Sequence, residues 1–183
     1  MYWPSAAITF EHDNKLMLNS YVDSGYKPVP ITEKNKHAIE LFLAHIKNTL
    51  SDEKEQTILL DWLAYVVQNA GKRINWAILL QGAQGTGKSY FAKVLEWLLG
   101  SNAKSLDPSA LGERFTGWAH GSLVNIVEEI RIKGDDKWRI MDRLKPFITN
   151  SMIQIEEKGR DHRTVPNFTN YLLLTNYKDA LPI

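Results

Sequence analysis

No cysteine occurs in the 183 residues, which excludes disulfide cross-links and thiolate metal ligation and fits a reducing compartment. A long hydrophobic run is missing as well, since no stretch approaches the roughly 20 apolar residues needed to cross a bilayer. Met1-Tyr2-Trp3-Pro4 lacks the basic region and following apolar segment of a secretory leader. Nor is there an excess of charge. With 22 Lys and Arg against 21 Asp and Glu the formal net charge is +1, which neither points to nucleic acid nor rules out a local basic element in a neutral domain. What is present is a globular composition, 44% hydrophobic and 23% charged, in a chain long enough to bury a core. We therefore expect a protein without a membrane span, located in the cytoplasm.

The most informative stretch runs from Trp76 to Phe91. Trp76-Ala77-Ile78-Leu79-Leu80 predicts a strand, Gly82-Ala83-Gln84-Gly85-Thr86-Gly87 a glycine-rich loop, and Lys88-Ser89-Tyr90-Phe91 the start of an amphipathic helix. Gly82 and Gly87, separated by four residues and followed by Lys88-Ser89, match the nucleotide-binding P-loop in the strand-to-helix context the motif requires. The chemistry accounts for the residue types. Backbone N–H groups wrap a polyphosphate only where the chain takes left-handed turns and approaches closely, which Gly82, Gly85 and Gly87 allow. A helix start aims unpaired N–H groups and a positive dipole end at the anion. Lys88 adds a point charge for the β and γ oxygens, and the Ser89 hydroxyl is placed to coordinate Mg²⁺. The expected nucleotide-binding residues are Gly82, Ala83, Gln84, Gly85, Thr86, Gly87, Lys88, Ser89 and Tyr90, with ATP and Mg²⁺ as the bound species. The competing reading, a glycine turn with a chance Lys-Ser, is disfavoured by that context.

Residues 1–30 alternate apolar and polar around the turn signals Asp13-Asn14 and Asp23-Ser24-Gly25, predicting short strands in an N-terminal β-ribbon. From Thr32, Ile39, Phe42, Leu43, Ile46 and Leu50 recur at helical spacing. Ser51 is the expected N-cap of a second helix, with Asp52 and Glu53 in its first turn. Leu59, Trp62, Leu63 and Val66 mark its apolar side, and it ends near Gly71. These two antiparallel helices make a helical subdomain over 31–71, ahead of a core domain over 72–183. The loop helix ends at Leu98-Leu99-Gly100, and a polar stretch follows to about residue 121 with a short helical candidate from 108 to 111. Arg114 and Trp118 within it read as an exposed arginine and a half-buried tryptophan.

Leu123-Val124-Asn125-Ile126-Val127 predicts a strand of a covered sheet ending in Glu128-Glu129. Behind a P-loop, the first acid at such a strand end serves Mg²⁺ and a neighbouring glutamate polarises the attacking water. Asp135 to Thr149 predicts a helix with Trp138, Met141, Leu144 and Ile148 on one face. Met152-Ile153-Gln154-Ile155 and Arg163-Thr164-Val165 flank a charged, glycine-containing segment and predict a β-hairpin with a basic tip, which by itself reads as a solvated turn. Tyr171-Leu172-Leu173-Leu174-Thr175 predicts a further buried strand ending in Asn176. Three strand ends thus deliver Lys88-Ser89, Glu128-Glu129 and Asn176 to the edge where open α/β sheets bind ligands. The expected fold class is α/β, a P-loop NTPase with a parallel sheet core, an N-terminal β-ribbon and a small helical subdomain.

The order of these parts resembles the superfamily 3 helicases, and more closely the helicase domain of phage and plasmid primase-helicase proteins, the poxvirus D5-like group. The matching pieces are Leu60-Asp61-Trp62-Leu63-Ala64, Gln84-Gly85-Thr86-Gly87-Lys88-Ser89, Gly112-Glu113-Arg114-Phe115, Glu128-Glu129, Leu144-Lys145-Pro146, Glu157-Lys158-Gly159 and Leu174-Thr175-Asn176. The resemblance covers roughly residues 55–182 and is more specific than the P-loop alone. It implies an AAA+-like ring ATPase, a homo-hexamer in the full-length protein, that binds ATP between subunits and moves along single-stranded DNA. It further implies a linked primase domain and, for a viral protein, the host cytoplasm. Carried over to this sequence, Lys88 and Ser89 bind phosphate and Mg²⁺, Glu128 serves the metal, Glu129 is the catalytic base and Asn176 orients the attacking water. Lys158 sits on a pore hairpin that grips DNA, with Arg160 and His162 as helpers. The family often has Asp where this chain has Glu128. Its members continue into a segment that supplies an arginine finger, so a chain stopping at Pro182-Ile183 is expected to be an excised piece, with Arg131, Arg139 and Arg143 as the candidates within it.

The leading expectation is an ATP-dependent DNA helicase domain of a phage-like replication protein. The alternative is an ATP- and DNA-binding module without turnover of its own, and DNA-stimulated ATP hydrolysis separates the two. A small-molecule P-loop kinase needs an arginine-rich lid, whereas residues 100–121 hold only Arg114.

Overall fold

Asp13 and Asn14 both take positive φ, 51° and 56°, which suits the twist of a two-residue hairpin turn. Across that turn β1 (Thr9–His12) pairs antiparallel with β2 (Lys15–Leu18). The computed structural model describes residues 1–4, 6–130 and 136–177, the Asp136 side chain excepted. The ribbon is tied to the rest through Tyr2, which is buried and donates its hydroxyl to Asn102 Oδ1 at 2.9 Å.

Two helices follow. α1 (Glu33–Thr49) begins after Thr32, whose N–H donates to Asn35 Oδ1 at 2.7 Å. α2 (Glu53–Gln68) is capped by Asp52, whose carboxylate accepts from the N–H groups of Lys54 and Glu55. The cap therefore lies one residue beyond the expected Ser51, because the carboxylate at 52 satisfies two first-turn donors at once and also complements the helix dipole. Asn69 closes α2, and Gly71 at φ 83° redirects the chain.

The remaining elements are β3 (Ile78–Gln81), α3 (Ser89–Leu99), β4 (Ala103–Leu106), β5 (Val124–Val127), α4 (Asp136–Thr149), β6 (Met152–Ile155), β7 (Arg163–Pro166) and β8 (Asn170–Thr175). β3, β8, β5 and β4 lie side by side in that order, all parallel. β5 and β8 are interior and wholly buried, which is why apolar residues dominate both. The polar stretch after the loop helix hides β4, which the sequence reading does not anticipate. As an outer strand it is only partly covered, and Ala-Lys-Ser-Leu carries no apolar run.

Successive side chains of a strand point to opposite faces. Ile78, Leu80, Ile126, Leu172 and Leu174 face one layer with Ile46 of α1, Leu59 and Trp62 of α2 and Phe91 and Leu95 of α3. Leu79, Val127, Tyr171 and Leu173 face the other, with Leu144 and Phe147 of α4 and Ile153, Ile155 and Val165 of the β6–β7 hairpin. The result is a three-layer α/β arrangement with a four-stranded parallel sheet in the middle. No helix among the described residues is long and apolar enough to cross a membrane.

Candidate active site

Parallel strands end at one edge of a sheet, so the residues that follow β3, β5 and β8 meet there. Gln84, Gly85, Gly87, Lys88 and Ser89 face Glu128, Glu129 and Asn176 across a cleft of about 330 Å³, near the lower bound for small-molecule sites. Gly82, Ala83, Thr86 and Tyr90 are not in its wall.

The loop after β3 needs glycine at two places. Gly85 and Gly87 take φ of 81° and 87°, which a side chain would strain. Gly82 is not among the left-handed residues; its N–H instead donates to Thr175 O at 3.2 Å and ties the loop to β8. Lys88 is only 7% exposed. Its Nζ donates to Gly82 O at 2.8 Å, Ala83 O at 2.7 Å and Thr86 Oγ at 3.2 Å, so the ammonium sits inside the loop. Loss of water around it lowers its pKa. α3 starts one residue later, and Ser89 Oγ donates to Glu128 Oε2 at 2.5 Å. This adjoining hydroxyl and carboxylate are hard oxygen donors of the kind Mg²⁺ takes.

Glu129 has φ 56°, in a region uncommon for non-glycine residues and concentrated at functional sites. The cause is the next residue. Ile130 is 0% exposed, its N–H donates to Leu174 O at 3.0 Å and its carbonyl accepts from Thr175 Oγ at 2.8 Å. The chain must reverse at Glu129 to bury Ile130, and that reversal leaves Glu129 exposed at the cleft while Glu128 stays half-buried. Asn176, half-buried, completes the wall from β8.

The expected hairpin is present as antiparallel β6 and β7, but its tip is charge-balanced rather than basic. Glu156, Glu157 and Asp161 offset Lys158, Arg160 and Arg163. Arg160 and Arg163 both pair with Glu157 Oε2, at 3.1 and 2.9 Å. His162 Nε2 lies 3.6 Å from Glu156 Oε2, and Arg114 Nε lies 2.6 Å from Glu156 Oε1. Lys158 is exposed and has no ion pair among the described residues. Neither Lys158, Arg160 nor His162 lines the cleft. Of the arginines considered for a finger, Arg143 is taken up by the carbonyls of Gly112, Glu113 and Arg114, Arg139 is exposed on α4, and Arg131 lies outside the described residues.

Two α1 residues absent from the expected set touch the loop. His45 Nε2 is 3.0 Å from Gly87 O, and Thr49 Oγ donates to Thr86 O at 3.2 Å. They stand 42 and 37 residues from their partners, on a helix that reads only as amphipathic, so no local pattern signals them.

A family model described as a family of unknown function (DUF5906) matches residues 80–183. Across the whole chain there is 23% identity over 187 aligned residues to a DNA primase-polymerase of Nitratiruptor phage NrS-1, covering 25% of that protein. The chain thus spans about a quarter of the length of this curated relative. A structure described as the apo C-terminal region of NrS-1 matches with a TM-score of 0.83 at 21% identity, covering 100% of this chain and 44% of that one. An A form of the same region gives 0.80 at 22%, covering 100% and 43%. The fold is shared with part of that region.

Proposed function

The chain belongs to the DUF5906 family, and from that premise we propose that it is the ATP-hydrolysing part of a phage DNA-replication protein. In this reading it is a P-loop NTPase of superfamily 3 helicase type that couples Mg-ATP hydrolysis to movement on single-stranded DNA, assembled as a homo-hexamer. The observation that carries the proposal is the convergence of Lys88-Ser89, Glu128-Glu129 and Asn176, from three parallel strand ends, on one cleft. Likeness to a phage protein named DNA primase-polymerase supports the replication setting.

The roles follow from the atoms. Backbone N–H groups of the loop and the start of α3 receive the phosphates. Lys88 exchanges its contacts with Gly82 O and Ala83 O for β and γ oxygens. Ser89 Oγ and Glu128 would hold Mg²⁺, which when bound neutralises charge on the phosphate oxygens. Glu129 accepts the proton of the attacking water, Asn176 orients that water, and the bond from the γ phosphorus to the ADP oxygen breaks as the new P–O bond forms. The hairpin tip is the DNA contact, led by Lys158 and joined by Arg160 and His162 once their contacts with Glu157 and Glu156 open.

A second reading has one observation in its favour. No arginine among the described residues lines the cleft, so a single chain would bind nucleotide and DNA without turning over. ATP hydrolysis measured with and without single-stranded DNA separates the two: DNA-stimulated turnover that disappears in Lys88→Ala is the expected result, and binding without turnover favours the second. Unchanged ATP affinity in Lys88→Ala would overturn the P-loop assignment in both.

A further inference from the structure

We propose that helix α1 is the rear wall of the phosphate loop and that His45 is a positioning residue for nucleotide binding; the inference rests on the nucleotide reading above. A loop that presents successive N–H groups to an anion turns its carbonyls elsewhere, and partly buried carbonyls need donors. In the nucleotide-free loop Lys88 Nζ serves Gly82 and Ala83. The last two carbonyls before Lys88 are met from α1, that of Thr86 by Thr49 Oγ in an exposed contact and that of Gly87 by His45 Nε2 in a partly buried one. The single Thr49 hydroxyl proton is shared with His45 O at 2.9 Å, so His45 carries the larger part. Because Gly87 O can only accept, His45 holds a proton on Nε2.

The imidazole is wedged as well as bonded. Its centroid lies 4.7 Å from that of Tyr90 and 5.2 Å from that of Phe91, both in the first turn of α3. Gly87 is fitted to the ring, since a Cβ there would fall 2.3 Å from His45 Cε1. Glycine is thus required at 87 for the approach of α1 in addition to its φ. The loop, the start of α3 and α1 form one contact unit, and a phosphate that fixes the loop also fixes α1.

His45→Leu puts an apolar side chain of similar volume in place of the imidazole and removes the donor, while His45→Gln returns an amide donor. Calorimetry with Mg-ATP is expected to show affinity weaker in His45→Leu by up to about fivefold, the equivalent of one net hydrogen bond, and most of it restored in His45→Gln. Lys88→Ala is run beside them. If Lys88→Ala binds like the parent, the nucleotide reading fails; if it loses binding while His45→Leu binds like the parent, the α1 brace fails alone. Should His45→Leu not fold, amide exchange of the parent decides: Mg-ATP slows exchange along residues 42–50 if α1 braces the loop, and unchanged exchange there overturns the proposal.

Discussion

Glu129 owes its place in the cleft to Ile130: burying the isoleucine under β8 forces the left-handed turn that aims the carboxylate outward. Position therefore separates the two acids, one at the cleft surface and one bonded to Ser89. Glu129→Gln is expected to retain Mg-ATP binding and lose about 10²- to 10⁴-fold in single-turnover hydrolysis, because the amide cannot accept a proton. Glu128→Gln should weaken Mg²⁺-dependent binding first, and equal loss of binding in both variants would contradict this division. His120 gives a stability prediction. Burial, with Arg163 and Lys104 beside it and only Glu157 opposing, pushes its pKa down to about 4. A histidine whose folded pKa lies below its unfolded value of 6.5 is protonated first in the unfolded chain, so stability falls as pH drops from about 6.5 through about 4. Denaturant midpoints at pH 7 and pH 5 should differ more for the parent than for His120→Asn.

At the scale of elements, legibility followed the range of the signal. The hairpin at Asp13-Asn14, both helices of 33–68, the strand-loop-helix of 78–99 and β8 each carry a local pattern, and each stands where that pattern put it. The Ser51 cap was displaced because two adjacent candidates compete for the same amides and only atomic reach decides between them. β4 escaped because an outer strand need not be apolar. The β6–β7 hairpin was legible as a shape, but the pairing of Arg160 and Arg163 with Glu157 depends on rotamers that no spacing encodes. That pairing makes opposite predictions for two neighbours. Lys158→Ala should weaken single-stranded DNA binding independently of sequence and lower the salt slope by about 0.7. Glu157→Ala, which releases two arginines from exposed pairs worth at most about 1 kcal/mol each, should tighten it. Filter binding across salt concentrations reads both, and a parent-like Lys158→Ala would remove the hairpin from the DNA path.

For the molecule as a whole, the candidate site was legible because the residues that line its cleft lie in short motifs at strand ends. Strand order and the reach of α1 to the loop were not, because both are long-range contacts with no periodic trace. The same long-range packing bears on whether residues 31–71 form a unit of their own. Leu59 and Trp62 of α2 share a core with Leu172 of β8, which is 0% exposed, and the next residue, Leu173, enters the core on the opposite face. Both cores thus hang on one interior strand, and loss of either removes an interior face of that strand from cover. A single cooperative transition is expected, with near- and far-ultraviolet dichroism reporting the same denaturant midpoint. Leu59→Ala and Leu173→Ala should each lower the stability of that one transition by about 2–5 kcal/mol, whereas Leu16→Ala, at a side chain 79% exposed on the ribbon, should change it by less than about 0.5 kcal/mol. Two transitions, with Leu59→Ala moving only the earlier one, would mark the helical segment as an independent unit and would detach His45 from any fixed role at the loop of residues 82–88.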